Sequence, residues 1–306
     1  MKSETYDVAV IGGGAAGLSA ALVLGRARRR VVVVDAGAPR NAPAAHMQGF
    51  LSRDGTSPAS LLQTARAEVR RYGVEIVEDR VVDATAGFAL RLAGGRTVRA
   101  RRVLLATGAV DELPDVVGAR ERWGRDLLHC PYCHGWEVRD QPIGVLGSAE
   151  HAHLLRQWSD DVILFTHTTA VAPGARATLD ARGIAVVDGP VERLVVTDDR
   201  LRAVQLADGH SVPRTALFIR PALRAHPDGP AAALGCDLLA DGLVRTDADG
   251  RTSVPGIWAA GNATNPRAQV ITAAGEGSAV AIAINTELVQ DDIDTAVQQL
   301  AATTTP

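Results

Sequence analysis

Residues 6–17 read Tyr-Asp-Val-Ala-Val-Ile-Gly-Gly-Gly-Ala-Ala-Gly, and their reading decides the fold. The first six form a short apolar run suited to a buried strand. GGGAAG then leads into the apolar stretch 15–25, which has helical length. The glycines fall as Gly12-x-Gly14-x-x-Gly17. Gly12 permits a tight turn, Gly14 lets a pyrophosphate approach the backbone at a helix N-terminus, and Gly17 allows close helix–strand packing. A second apolar run, Val31 to Val34, ends at Asp35. That acid lies about 20 residues on, where a carboxylate accepts from a ribose hydroxyl. Strand, glycine turn, helix, strand and acid together predict a doubly wound α/β unit that binds a dinucleotide.

The remaining chain extends this pattern. Residues 58–72 show helical spacing through Leu61, Leu62, Ala65 and Val69, and VEIVEDRVVDATA, FALRLA and RTVRARRVLLATGA supply strand-length pieces. A new unit opens after Pro114. PIGVLGS begins a second strand, glycine turn and helix, and VILFTH a following strand. Strand-like pieces recur near 184–187, 191–196, 202–206 and 216–219. The Pro-rich stretch 221–230 reads as a return linker, VPGIWAAGN as a last strand, and 270–290 as a buried helix. Two such openings predict two doubly wound domains, the second inserted into the first. The expected boundaries are 1–113 with 237–306 for one and 114–236 for the other.

Composition excludes several classes. The 306 residues are 46% hydrophobic and 22% charged with net charge −3, so no basic footprint points to nucleic acid or an anionic membrane. No apolar run approaches the roughly 18 residues of a membrane span. The opening MKSETYDVAVIGGG leaves no room for a signal peptide, and a cytoplasmic protein is expected. Three cysteines do not make a secreted disulfide framework.

Two of those cysteines stand in His129-Cys130-Pro131-Tyr132-Cys133-His134-Gly135. A C-x-x-C pair closes reversibly into a small ring and suits thiol–disulfide exchange, in which a thiolate is the nucleophile. Zinc is an alternative, but about four ligands are needed and no second C-x-x-C or H-x-x-x-H is present, so no metal is expected. Two structural cysteines, or a glutaredoxin-like Cys-Pro-Tyr-Cys, are further alternatives. Cys236, in LGCDLL, reads as a small buried hydrophobe.

LLATGA (104–109) and VPGIWAAGN (254–262), with the glycine turn and the C-x-x-C, resemble the segments of low-molecular-weight thioredoxin reductases over nearly the whole chain. QVITAAGEGSAVAIAI is similar to the helix whose N-terminus faces the flavin in that family. The resemblance implies FAD, with contacts at Gly12, Gly14, Ala15 and Gly17, then at Asp35, Ala36, Arg40 and Val81. Further contacts are implied at Ala106, Thr107 and Gly108, and at Gly261, Asn262, Gln269 and Val270. Asn262 stands where the family often has Asp; both hydrogen-bond a ribityl chain, and a plain turn role for Asn262 stays open. The family pattern makes Cys130 the sulfur that exchanges with substrate and Cys133 the one that attacks the flavin. It usually has Asp-Gly after the pair. Here His134 follows and is the candidate proton carrier, with His129 as the alternative.

The second turn departs further. Gly147-Ser148-Ala149-Glu150-His151-Ala152 sets a methyl where pyrophosphate needs bare backbone and adds a carboxylate. After VILF comes Thr166-His167-Thr168-Thr169, with neither an arginine cluster nor an acid for a second ribose. Arg156, Arg176 and Arg182 lie elsewhere. Divergent NAD(P)H binding stays open, but the chain is similar to the thioredoxin-reductase-like dithiol oxidases that close disulfides in small natural products of gliotoxin and holomycin type. That resemblance implies a homodimer that passes electrons from a small-molecule dithiol through Cys130 and Cys133 to FAD and then to O2, giving H2O2. A reductase driven by NAD(P)H or ferredoxin is the alternative.

Overall fold

The computed structural model describes residues 5–85, 87–226 and 229–304, which fall into two compact units. Residues 1–4 of the opening and 227–228 of the Pro-rich stretch lie outside the described residues. The first unit gathers Met1–Arg40, Ala59–Val110 and Leu223–Pro306, and the second Asn41–Pro58 and Asp111–Ala222.

In the first unit, β1 (Thr5–Ile11), α1 (Ala15–Arg26) and β2 (Val31–Asp35) follow in order. α2 (Pro58–Arg70), β3 (Glu75–Glu78), β4 (Val81–Thr85), β5 (Ala89–Leu92) and β6 (Thr97–Leu105) complete its N-terminal part. Val8, Ala9 and Val10 have no exposed surface, as a parallel strand covered on both faces requires. The sheet order is β3-β2-β1-β6-β5-β4, parallel from β3 to β6 and antiparallel beyond. The chain leaves β1 toward β2, while β6 pairs with β1 on its other side. The C-terminal end of β1 is therefore a topological switch point, where open α/β sheets bind ligands.

β7 (Ala109–Glu112) leads out of this unit. The second unit contains α3 (Ala119–Arg122), β8 (Leu127–Leu128), α4 (Pro131–His134), β9 (Ile143–Leu146) and α5 (Ala149–Leu155). β10 (Val162–Phe165), α6 (Pro173–Ala181) and β11 (Ala185–Val187) follow. Next come β12 (Val191–Thr197), β13 (Arg200–Leu206), β14 (Ser211–Pro213) and β15 (Ala216–Phe218). A parallel sheet runs β11-β10-β9-β15-β8, and β12-β13-β14 forms a separate antiparallel sheet. Arg122, nearly buried, is held by Asp126 at 2.5 Å and Asp199 at 2.7 Å, which offsets the cost of burying its charge.

β16 (Ala222–Ala225) carries the chain back, β17 (Ile257–Ala259) pairs with β6, and α7 (Val270–Thr304) closes the first unit. The return falls at Leu223 rather than residue 237. Cys236, with Ala231 and Leu234 beside it, belongs to the core that holds Val34, Leu105 and Ile257. Asn41–Pro58, expected in the first domain, groups with the second unit. Its Gln48 donates to Glu137 at 3.1 Å, and Pro43 lies against Gly124 so closely that a Cβ there would crowd it. α7 is also longer than the expected 270–290, because neither glycine nor proline falls between Gly277 and Thr304. Its inner residues Val280, Ala281, Ile284 and Leu288 are buried with Val8 and Leu24, whereas Ile282, Val289, Ile293 and Val297 are exposed. Among the described residues no helix is long and apolar enough to cross a membrane.

Candidate active site

The glycine turn assigns each glycine a different steric role. Gly12 has φ +109°, and a Cβ there would overlap the Ala106 carbonyl at the end of β6. A Cβ on Gly17 would overlap the Gly12 carbonyl, so α1 meets β1 only because that side chain is missing. Above Gly14 a Cβ would meet nothing within 4 Å. Gly14 is the N-cap of α1, and no side chain caps the helix. The result is bare backbone, open space and a helix N-terminus facing it, a cradle that fits the pyrophosphate of FAD. Ala15 opens the helix, and Thr107 and Gly108 follow Ala106 with Gly108 at φ +68°.

Asp35 ends β2, and its Oδ2 pairs with Arg66 Nη2 at 2.5 Å while Oδ1 accepts from the Gly37 amide at 3.2 Å. Ala36 lies between them in the chain. The Asp79 amide donates to the Asp35 carbonyl at 3.1 Å, which brings the start of β4 close to this acid. The Val81 side chain is buried in the core, so only its backbone is left to face a nucleotide. At the other end Asn262 donates through Nδ2 to the carbonyls of Asn265 (2.9 Å) and Ala268 (3.1 Å). Its Oδ1 accepts from Arg40 Nη1 at 3.3 Å. Asn262 thus braces the turn before α7, while its oxygen remains the polar atom facing Arg40. Gly261, at φ +70°, sets its backbone close to Ala16. Gln269 caps α7 by accepting from the Ala273 amide at 2.8 Å, and Val270 begins it, so a helix N-terminus is available for negative charge on a flavin.

Two residues of this unit escape motif reading. Arg66 lies mid-helix with no local pattern to mark it. Glu276 accepts from the Gly261 amide (2.9 Å) and from Asn265 Nδ2 (2.7 Å), tying the turn to α7. A lone acid in the apolar stretch ITAAGEGSAV is the signal that could have flagged it.

In the second unit Cys130 and Cys133 form a disulfide with their Cα atoms 5.2 Å apart. Disulfide bonding removes both thiolates from metal ligation. Cys130 is the N-cap of α4, Pro131 presets the first helical φ, and the amides of Cys133 and His134 both donate to the Cys130 carbonyl at 3.1 Å. Gly135 is fixed by crowding, since a Cβ would meet the Pro131 carbonyl and the Trp158 ring. Trp158 also stacks edge-on with Tyr132 at 5.6 Å, and Tyr132 and Trp136 stand exposed near the disulfide. His134 is half-buried. Desolvation holds its pKa below the usual value, with the Glu137 carboxylate partly opposing, so a neutral ring that can accept a proton prevails near pH 7. Cys236 is buried against Thr252, and burial pushes its thiol pKa up.

The second glycine turn engages groups of its own. Ser148 caps α5, its Oγ accepting from the His151 amide at 3.2 Å, a donor an anion would otherwise need. Glu150 pairs with Arg220 at 2.5 Å. Past β10, His167 Nδ1 accepts from the Val191 amide at 3.0 Å, and Thr166 Oγ accepts from the Gly189 amide at 3.2 Å. Arg156 and Arg176 pair with Asp160 and Asp188, and Arg182 donates to the His153 carbonyl at 2.7 Å.

Residues 6–277 match the family model described as pyridine nucleotide-disulphide oxidoreductase. The structure is similar to the crystal structure of HlmI, with TM-score 0.93, 55% identity, and coverage of 98% of this chain and 97% of that one. The thioredoxin reductase sirT of Leptosphaeria maculans is 32% identical over 94% of this chain and 96% of its own length. The thioredoxin reductase tcpT of Claviceps purpurea is also 32% identical, over 85% and 87%. The chain therefore belongs to the pyridine nucleotide-disulphide oxidoreductase family, as an FAD-binding flavoprotein with thioredoxin-reductase-like architecture.

Proposed function

We propose that the chain is a dithiol oxidase that closes a disulfide in a small molecule and delivers the electrons to O2. One observation carries this reading: in the unit that holds the redox disulfide, the second glycine turn has its His151 amide taken by Ser148 and the carboxylate of Glu150 paired with Arg220 where a nicotinamide nucleotide would need a donor and tolerate no acid. Likeness to HlmI, sirT and tcpT supports a thioredoxin-reductase-like flavoprotein with thiol–disulfide chemistry, the frame within which this reading stands.

The steps balance on this chain's own residues. A substrate thiolate attacks Cys130 Sγ, the Cys130–Cys133 bond breaks, and Cys133 leaves as thiolate. His134 accepts the proton of the second substrate thiol, whose sulfur attacks the first substrate sulfur and releases Cys130. The substrate departs as a cyclic disulfide, two electrons and two protons poorer. FAD, held by the glycine turn, Asp35 and the α7 N-terminus, would supply the two-electron acceptor for the pair, with O2 as final oxidant and H2O2 as its product. The FAD-facing roles of the glycine turn, Asp35 and the α7 N-terminus are part of this proposal, as is a cytoplasmic setting, where thiols arrive reduced.

Anaerobic mixing tests it. A small dithiol should bleach the flavin and, in air, drive oxygen uptake without NADPH. Cys130→Ser should keep its FAD and lose that uptake. Bleaching by NADPH and not by any dithiol would instead support a reductase, the activity that sirT and tcpT are named for.

We also propose that the chain acts as a homodimer. Ile282, Val289, Ile293 and Val297 fall within one narrow stripe along α7 at its helical spacing, all exposed, which suits a second copy of the same helix.

A further inference from the structure

The turn between β17 and α7 is held by one acid, and that acid lies in the helix rather than in the turn. Glu276 is half-buried in the second turn of α7. Its Oε2 accepts from the Gly261 amide at 2.9 Å and its Oε1 from Asn265 Nδ2 at 2.7 Å. Gly261 opens a short 3-10 helix, Gly261–Ala263, so its N–H has no acceptor within that helix and takes the carboxylate instead.

From Asn265 the hold passes to Asn262. Both ends of the Asn265 amide are engaged, Nδ2 on Glu276 and Oδ1 accepting from the Arg267 amide at 3.0 Å. The Asn265 carbonyl, fixed by these contacts, accepts one N–H of Asn262 at 2.9 Å, and the Ala268 carbonyl accepts the other at 3.1 Å. An asparagine has two N–H donors and one oxygen. With both donors spent inside the turn, Asn262 presents its Oδ1, to which Arg40 Nη1 donates at 3.3 Å. A carbonyl oxygen has two lone pairs, so this one can accept from a ribityl hydroxyl as well.

We propose that Glu276 is a positioning residue for FAD: it clamps the Gly261 amide and the Asn265 side chain, and so fixes the turn in the form that makes Asn262 an acceptor. A carboxylate suits the task because both groups facing it are donors and it offers only acceptors. A neutral amide in its place sets its own NH2 against one of them. The inference rests on FAD binding alone, so it is independent of the direction of electron flow through Cys130 and Cys133.

The test dilutes purified holoprotein and reads the fluorescence of the flavin released. Glu276→Gln keeps the shape and loses one acceptor, and it should hold FAD about tenfold more weakly. Adding Asn265→Asp exchanges donor and acceptor. The introduced amide oxygen accepts from Gly261, its NH2 donates to the introduced carboxylate, and that carboxylate still accepts from Arg267. Net charge returns to that of the wild type, and the double variant should hold FAD within about twofold of wild type. Wild-type affinity in Glu276→Gln overturns the proposal even if the variant melts earlier, since the acid then braces the fold and not the flavin. A double variant no tighter than Glu276→Gln overturns it too. If Glu276→Gln is obtained without flavin, recovery of flavin in the double variant supports the proposal and its absence there overturns it.

Discussion

Single residues decide more of the two sites than the motifs that announce them. Arg66 holds Asp35 in a mostly buried ion pair, and removing the cation would leave a carboxylate without its partner at the ribose end. Arg66→Leu is expected to weaken FAD binding about five- to tenfold, near 1 kcal/mol, measured by flavin fluorescence during titration of apoprotein. His151 makes a pH prediction. Its pKa is about 4 when folded against 6.5 when free, so the unfolded chain binds a proton between these values and the folded one does not. Its contribution is complete above pH 6.5 and is lost as pH falls through 4, about 3 kcal/mol at the limit. The melting temperature should drop between pH 6.5 and 4.5, and His151→Phe should remove this share of the drop. Neither residue was legible as a partner in the sequence, because Arg66 meets Asp35 and His151 meets Phe218 only once strands distant in the chain are paired. Gly12, Gly14 and Gly17 were legible because their roles are backbone sterics within one turn.

At the scale of elements, α1 and α7 cross where side chains are absent. A Cβ on Gly277 would overlap the Ala16 carbonyl, whereas one on Gly275, two residues earlier, would meet nothing within 4 Å. Gly277→Ala should cost about 3 kcal/mol, because the backbone it meets has no rotamer to change. Gly275→Ala should leave the melting temperature equal or higher, by up to about 1 kcal/mol of helix propensity. Thermal melts of the two variants side by side check both. The strands and helices were readable as apolar runs in both units, and the eroded second turn showed itself in Ala149 and Glu150. What replaced it was hidden: Ser148 as a cap and Arg220 as the partner of Glu150 depend on α5 and on the end of β15 lying together. The Asn41–Pro58 segment was equally opaque, since nothing in its composition names the unit whose Gly124 and Glu137 it meets.

For the whole molecule, the exposed stripe on α7 makes the proposed homodimer testable. Ile293→Asp together with Val297→Asp should convert dimer to monomer by sedimentation velocity while the flavin spectrum stays that of wild type. The assembly of the first unit from three chain segments has a further consequence, which concerns synthesis. The ribosome delivers the glycine turn first and the complete second unit next, and only afterwards the helix whose Gly277 seats against Ala16. Domains fold in the order they emerge, so the inserted unit can mature while the nucleotide cradle is still missing its closing wall. Nascent chains stalled before residue 270 are thus expected to hold a finished redox loop and no flavin, which makes cofactor loading a late event in the life of each new molecule.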